Sequence, residues 1–369
     1  MNKLFVFFFL FLALKVCSQI ELPIDSTKAG GKRNYFGYPA VIYSPETTFS
    51  FGGFGSLYFK VGHDPYVRTS FIQALALYSL RDQIVFGAES TIFFHNEKYI
   101  LKSHVSASRF PDRFWGLGND SKDSSLEPYS ITQFYIYPQL LRKIYKKLFV
   151  GVSYEVQNVF SVEYGRDLPK NTISIFDTQM VAGRQGSLIS GLGLVAQWDS
   201  RNSSFSPDRG LYFSYTVNDF HPRLGSNYSY TNHFIDVRTY VKVGNNKVLA
   251  FQLINNFNQG EVPIRSLANI GSSSMLRGYY DGRYTDKNLF GIQAEYRFPV
   301  VGRFGMVLFS AVGRVGETVV DVYSFQQLKP SFGTGLRFAI DRKEKLNLRL
   351  DFGVGKNSNG FYFNLTEAF

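Results

Sequence analysis

Cysteine is nearly absent: Cys17 is the only one in 369 residues, so no disulfide framework braces the fold and no thiol pair is available for a zinc or redox centre. Long apolar runs are missing too. No stretch approaches the 18 or so consecutive apolar residues of a membrane-crossing helix, which excludes a helical membrane protein and leaves a membrane barrel open. Histidine is scarce, and His63, His95, His104, His221 and His233 are scattered through separate segments. There is no Gly-x-Ser-x-Gly elbow and no His/Cys/Asp spacing for a transition metal, so no catalytic group, metal or cofactor is expected. Gly353-Val354-Gly355-Lys356-Asn357-Ser358 lacks both the first glycine and the Ser/Thr after lysine of a phosphate loop, and reads as a strand end and turn.

What is abundant is aromatic and turn-forming: 17% aromatic residues and 33 glycines, an unusual balance for a soluble α/β enzyme. Met1-Asn2-Lys3 followed by the apolar run Leu4–Leu14 reads as a signal peptide over residues 1–18. Cleavage after Ser18 would remove the only cysteine; a lipid-modified Cys17 is the other reading, although Lys15 and Val16 suit it poorly. The formal charge of +11 would become +9 once Lys3 and Lys15 are gone. In an exported, loop-rich chain that excess suits a wet lumen or anionic lipid headgroups, and no nucleic-acid partner is expected.

Residues 19–35 are polar and aperiodic, a flexible periplasmic lead-in. From there on, segments of roughly 10–13 residues alternate in polarity between turn residues, the pattern of a transmembrane β-barrel. In Lys345–Gly353, Leu346, Leu348, Leu350 and Phe352 alternate with Asn347, Arg349 and Asp351. Ile292, Tyr296 and Phe298 likewise oppose Gln293, Glu295 and Arg297. Charges on the inward face of strand after strand exclude a sandwich, whose inner face must be dry.

Fifteen strands are predicted, over 49–60, 67–80, 82–95, 98–109, 129–142, 145–160, 187–198, 210–220, 231–243, 247–258, 288–299, 304–313, 331–340, 345–355 and 360–369. An even count needs a sixteenth near Phe36–Ser44, its pairing weakened by Pro39 and Pro45. Long connections (110–128, 161–186, 221–230, 259–287, 314–330) alternate with short ones such as Lys143–Ile144, as in barrels with turns in the periplasm and loops outside. The predicted fold is an all-β, sixteen-stranded transmembrane antiparallel barrel over 36–369, with one long loop folded into it.

That loop opens Met275–Pro299, where Arg277 and Arg283 mix with Gly278, Gly282 and three tyrosines before a strand carrying Glu295. Leu276-Arg277-Gly278-Tyr279, followed by Gln293–Pro299, resembles the Val-Arg-Gly-Phe/Tyr loop motif of the BamA/TamA-type outer-membrane proteins, the bacterial surface antigen family. Asp199-Ser200-Arg201 with Pro207 and Gly210 is similar to that family's Asp-x-Arg turn ending in Pro-x-x-Gly. The C-terminal run from Ser331 matches as well. Its last strand places Phe361, Phe363, Leu365 and Phe369 on the lipid face, with Glu367 out of place, and so resembles an assembly signal. The motifs cover roughly residues 190–369.

The resemblance implies a long loop that enters the lumen before the twelfth of sixteen strands, the position this loop occupies. It implies work in outer-membrane protein assembly or translocation, recognition by barrel-assembly machinery as a client, and a periplasmic or lipoprotein partner. Two departures stand out. The residues ahead of the first strand leave no room for the family's POTRA domains. In relatives the loop arginine pairs with an aspartate in a Phe/Trp-x-Asp strand motif, and the corresponding run, Phe309–Gly313, has Ala311 there. Glu295 is then the expected anchor of Arg277. A diffusion pore or substrate-specific channel shares the alternation and stays open as the second reading. The Phe110–Asp120 stretch is expected to pack at the barrel rim.

Overall fold

The computed structural model describes residues 34–61, 67–166, 168–169, 171–342 and 345–369. The expected signal peptide and nearly all of the lead-in lie outside them. The first half of the wall is β1 (Asn34–Ser44), β2 (Thr48–Phe59), β3 (Ser70–Ser79), β4 (Ile84–Phe94), β5 (Tyr99–Phe114), β6 (Glu127–Tyr145), β7 (Leu148–Tyr164) and β8 (Ser187–Asp199). The second is β9 (Gly210–Phe220), β10 (Tyr230–Gly244), β11 (Lys247–Gly260), β14 (Asn288–Val301), β15 (Phe304–Gly316), β16 (Lys329–Asp341), β17 (Leu346–Gly355) and β18 (Ser358–Leu365). A two-stranded sheet, β12 (Ala268–Ile270) and β13 (Tyr284–Asp286), sits within the loop after β11; single helical turns α1 (Ile175–Thr178) and α2 (Val319–Val322) occur in two other loops.

The sixteen wall strands pair antiparallel in chain order. Among the described residues β1 and β18 run side by side without a hydrogen-bonded ladder, so the barrel is nearly closed. Pro39 is accommodated because β1 lies at that seam and pairs through its whole length only with β2.

Alternation sets which face each side chain takes. In β17, Arg349 and Asp351 point inward and are buried, while Leu346, Leu348 and Leu350 point outward; the register puts Asp351 between Gly335 and Tyr362. Exposed Phe86, Phe251, Ile292, Leu308, Phe332 and Phe361 belong to the same apolar outer surface. The dry core is therefore not a single centre. Its main cluster lies inside the wall, where Met275, Leu276, Tyr279 and Tyr284 of the long loop pack against Leu289, Ala311 and Val315.

The loop end carries connections 115–126, 165–186, 221–229, 261–287 and 317–328; the other end carries turns such as 146–147 and 302–303. Three boundaries differ from expectation by four residues or more. Phe110–Phe114 continues β5 instead of opening the rim loop, because Asp112 and Phe114 face inward and find partners there. The strand after 146–147 runs on to Tyr164, shortening the next loop. The last strand stops at Leu365: Thr366 has φ +66°, which breaks the alternation and turns the final residues inward.

Candidate functional site

The loop between β11 and β14 crosses the lumen and is tied to most of the wall. Ile264 N–H donates to the Ala182 carbonyl, Leu117 bridges Thr285, and Arg283 pairs with Asp123 at 2.5 Å. The Tyr280 hydroxyl donates to Asp112 on β5, and its ring meets Trp115 edge-on at 5.3 Å.

The tip of the loop, Leu276–Tyr279, lies against the inner face of β14 to β18. Gly278, at φ +111°, lies so close to β17 that a Cβ there would meet the Val354 backbone at 2.6 Å. A Cβ on Gly353 would in turn meet the Arg277 carbonyl at 2.6 Å, so both backbones must be bare where they touch. The Tyr362 hydroxyl on β18 accepts from Gly278 N–H and donates to the Tyr279 carbonyl, at 2.9 and 3.1 Å. The Tyr279 hydroxyl spans Pro330 and Lys356. Leu276 is fully buried against Gly313 and Gly291.

Arg277 has no exposed surface and lies 2.5 Å from Glu295 and 2.5 Å from Asp351. Its guanidinium is also 3.6 Å from the centre of the Phe309 ring, an aromatic face suited to a cation. Two carboxylates thus hold it where one was expected. Asp351 sat on the inward face of the cleanest alternating strand, yet nothing in local spacing ties it to a residue 74 positions upstream. Ala311, where the resemblance leads us to expect an aspartate, lines the apolar cluster around Leu276.

The two carboxylates belong to a wider buried set. Glu295 also pairs with Arg297 at 2.8 Å; Asp351 pairs with Arg337 at 2.5 Å and Arg349 at 3.2 Å; Glu367 pairs with Arg337 at 2.7 Å. Charged side chains removed from water persist only when paired and hydrogen-bonded, and this lattice supplies both conditions.

At the turn end, Arg201 Nε and Nη2 donate to the two Asp199 carboxylate oxygens at 3.0 and 3.2 Å, and Arg68 adds a contact at 3.1 Å. The Arg201 guanidinium lies 4.4 Å over the Tyr212 ring. Pro207 is buried, and Gly210, at φ +111°, closes the turn against the Ser200 carbonyl. This turn reaches across to the C-terminal residues: Glu367 N–H donates to the Phe205 carbonyl, and Lys345 pairs with Asp208.

Phe361, Phe363 and Leu365 sit on the outward face, Phe361 being 49% exposed. Phe369 does not join them. It is buried against Tyr240, Val248 and Ala250, and its carbonyl accepts from Arg297 at 3.0 Å. Glu367 is not misplaced on the lipid face either; the turn at Thr366 delivers it to Arg337 and Asn347 inside the barrel.

Between the loop and β1, β5 and β6 lies a cavity of about 300 Å³ lined by Glu46, Asp112, Asp281, Arg265 and Tyr129. Asp281 N–H donates to Glu46 at 2.9 Å. Burial, reinforced by Glu46 and Asp112 and only partly offset by Arg265, pushes the Asp281 carboxyl up to about 7. Such a group favours the docked loop fully below the ordinary aspartate range, and that contribution fades as pH rises through about 7. Loop protection from protease should therefore be greater at pH 5 than at pH 8, and Asp281→Asn should flatten the difference. An unchanged profile in the variant would remove Asp281 from the account.

A family model described as the Omp85 superfamily domain matches residues 87–369. Among solved structures, BamA from Haemophilus ducreyi lacking POTRA domains 1–3 superposes with a TM-score of 0.56 at 12% identity, covering 92% of this chain and 70% of that one. CdiB from Acinetobacter baumannii gives a TM-score of 0.54 at 12% identity, with 92% and 66% covered. No curated protein matches in sequence. At that identity the two structures speak for the fold alone, a sixteen-stranded barrel here; the family match, from β4 to the last residue, says that the chain belongs to the Omp85 superfamily.

Proposed function

We propose that this protein is a non-enzymatic component of outer-membrane protein assembly or translocation, acting with partners. The observation that carries the reading is the loop 261–287, drawn across the lumen and clamped at its tip by Arg277 between Glu295 and Asp351. A lumen crossed by a loop at one end, and by the 200–209 turn and the C-terminal residues at the other, is poorly suited to free diffusion. It suits a barrel that handles another protein at its wall or opens on demand.

In this reading the signal peptide directs export to the bacterial outer membrane, residues 19–35 lie in the periplasm, and the long loops face outward. The outward aromatic face of β18, with Phe361, Phe363 and Leu365, serves as the signal that assembly machinery reads when this chain is itself the client. Anionic headgroups contact the basic rim, and a periplasmic or lipoprotein partner supplies what the barrel alone does not.

Planar-bilayer conductance separates this from a pore. The full chain should pass little current, and deletion of Gly271–Asp286 should raise it several-fold. A large steady current that the deletion leaves unchanged would favour a diffusion pore or substrate-specific channel. Vesicles containing the full chain should also speed folding of a second barrel protein relative to empty vesicles.

A further inference from the structure

Among the long loops, 317–328 takes an unusual course. It leaves β15 at the loop end and folds down over the outside of the wall. The Tyr323 ring lies 5.3 Å from Phe290 and 6.1 Å from Phe257, and both of these belong to the outward faces of β14 and β11. Its hydroxyl donates to Asn255, an outward polar side chain directly opposite Phe290 in the register. Asn255 is thereby only 6% exposed on the outward face of the wall.

The loop is fastened to the barrel at several points and leaves large apolar side chains exposed. Thr318 and Asp321 satisfy each other in a capping box at the start of α2, and Val322 is fully buried. The Gln326 carbonyl accepts from Arg314, and the Gln327 carbonyl accepts from Asn119. Immediately before these two residues Phe325 is 91% exposed; Val320, on α2, is 81% exposed. Below this loop the outward face continues with exposed Phe251, Ile292, Leu308 and Phe332.

We propose that loop 317–328 is an interfacial anchor whose Val320 and Phe325 insert into the lipid leaflet at the loop end of the barrel. The occupant is lipid because the patch is continuous with the apolar wall and is carried by a loop already lying on that wall. Tyr323 takes the place aromatic residues hold at membrane interfaces, apolar ring on the wall and hydroxyl on a polar partner. Glu317, paired with Lys287 at 3.9 Å, and Arg314 mark the headgroup level. Exposed aromatic and branched aliphatic side chains grouped this way mark contact with an apolar phase. The loop thereby fixes the rim of β14 and β15, the strands behind the Arg277 anchor, relative to the bilayer.

The test uses nitroxide labels in the full chain carrying Cys17→Ser, with Val320→Cys or Phe325→Cys, folded into phosphatidylcholine vesicles. Lys122→Cys, on the exposed loop 115–126, is the aqueous control. Power-saturation measurements should give an oxygen-to-nickel-chelate accessibility ratio several-fold higher at 320 and 325 than at 122. Detergent-folded samples of the same variants, checked by heat-modifiable migration, show that each label sits on a folded barrel. Nickel accessibility at 320 and 325 equal to that at 122 in vesicles would overturn the anchor and leave the patch as a surface for an aqueous protein partner.

Discussion

Asp351→Asn should destabilise the barrel more than Arg277→Leu, although both break the same ion pair. In the buried lattice Arg277, Arg297, Arg337 and Arg349 face Glu295, Asp351 and Glu367, and Arg297 also donates to the Phe369 main-chain oxygen. Asp351 is shared by three guanidiniums, so its loss leaves Arg349 without a carboxylate and Arg277 and Arg337 with one each, whereas losing Arg277 leaves every carboxylate with another arginine. Asp351 contacts three arginines, and its neutralisation should cost about 3–5 kcal/mol, the range for stranding a buried charge. After Arg277→Leu, Glu295 keeps Arg297 and Asp351 keeps Arg337 and Arg349, so the cost should be nearer about 2 kcal/mol, that of lost charged hydrogen bonds. Unfolding in urea, followed by heat-modifiable migration, measures both. Loop proteolysis separates them further, since Arg277 is the tip's own charged tether and its loss should expose the loop while the wall persists. Equal destabilisation, or a greater effect from Arg277→Leu, would mean that the sharing of Asp351 among three arginines does not govern this cluster.

The wall was legible in the sequence because lipid and water on its two faces impose a strict two-residue period. Leu348 and Arg349 report opposite environments with no knowledge of their neighbours. The loop was legible as an element because glycine, arginine and tyrosine crowd between two alternating strands. What escaped depends on contacts between distant strands. Asp351 meets Arg277 only because β17 lies opposite the loop tip, a fact of barrel closure and not of spacing. Asp112 follows a proline and read as rim, yet it stays in β5 because Tyr280 crosses the lumen to satisfy it. Phe369 read as lipid-facing by continuing the register past Leu365; a single positive φ at Thr366 cancels that register, and Arg297 and Tyr240 decide where the ring goes.

Two contacts inside the barrel are built by the same device. Midway along the wall Arg277 is drawn onto Glu295 and Asp351, and at the turn end Arg201 is drawn onto Asp199, each with an aromatic ring beneath the guanidinium: Phe309 in one case, Tyr212 in the other. In both, glycine allows the backbone to close on its neighbour. The difference is burial: Arg277 is fully enclosed, while the Arg201 side chain retains 13% exposure and Asp199 has a second partner in Arg68. The loop tip is therefore the more strongly determined contact and the one whose release demands more.

Gly353→Ala should dislodge that tip without touching any charge. The added methyl would lie 2.6 Å from the Arg277 carbonyl and 2.8 Å from the Gly278 nitrogen, both backbone atoms that cannot rotate away. Gly353 is itself in extended strand geometry, so alanine brings no conformational strain of its own, and the effect reports the clash alone. Overpacking of this kind costs about 1–3 kcal/mol when the structure must shift. Here the shift has a defined direction: Arg277–Gly278 moves off β17, and the Tyr362 hydroxyl loses Gly278 N–H. Loop protease sensitivity should rise while β17 keeps its pairing with β16 and β18, so heat-modifiable migration persists. The double variant with Arg277→Leu makes the test specific, because contacts already broken by displacement cannot be lost again and the two effects should fall short of additive. Strict additivity, or a loop as protected as in the parent, would show that the tip does not rest on Gly353 in the folded barrel.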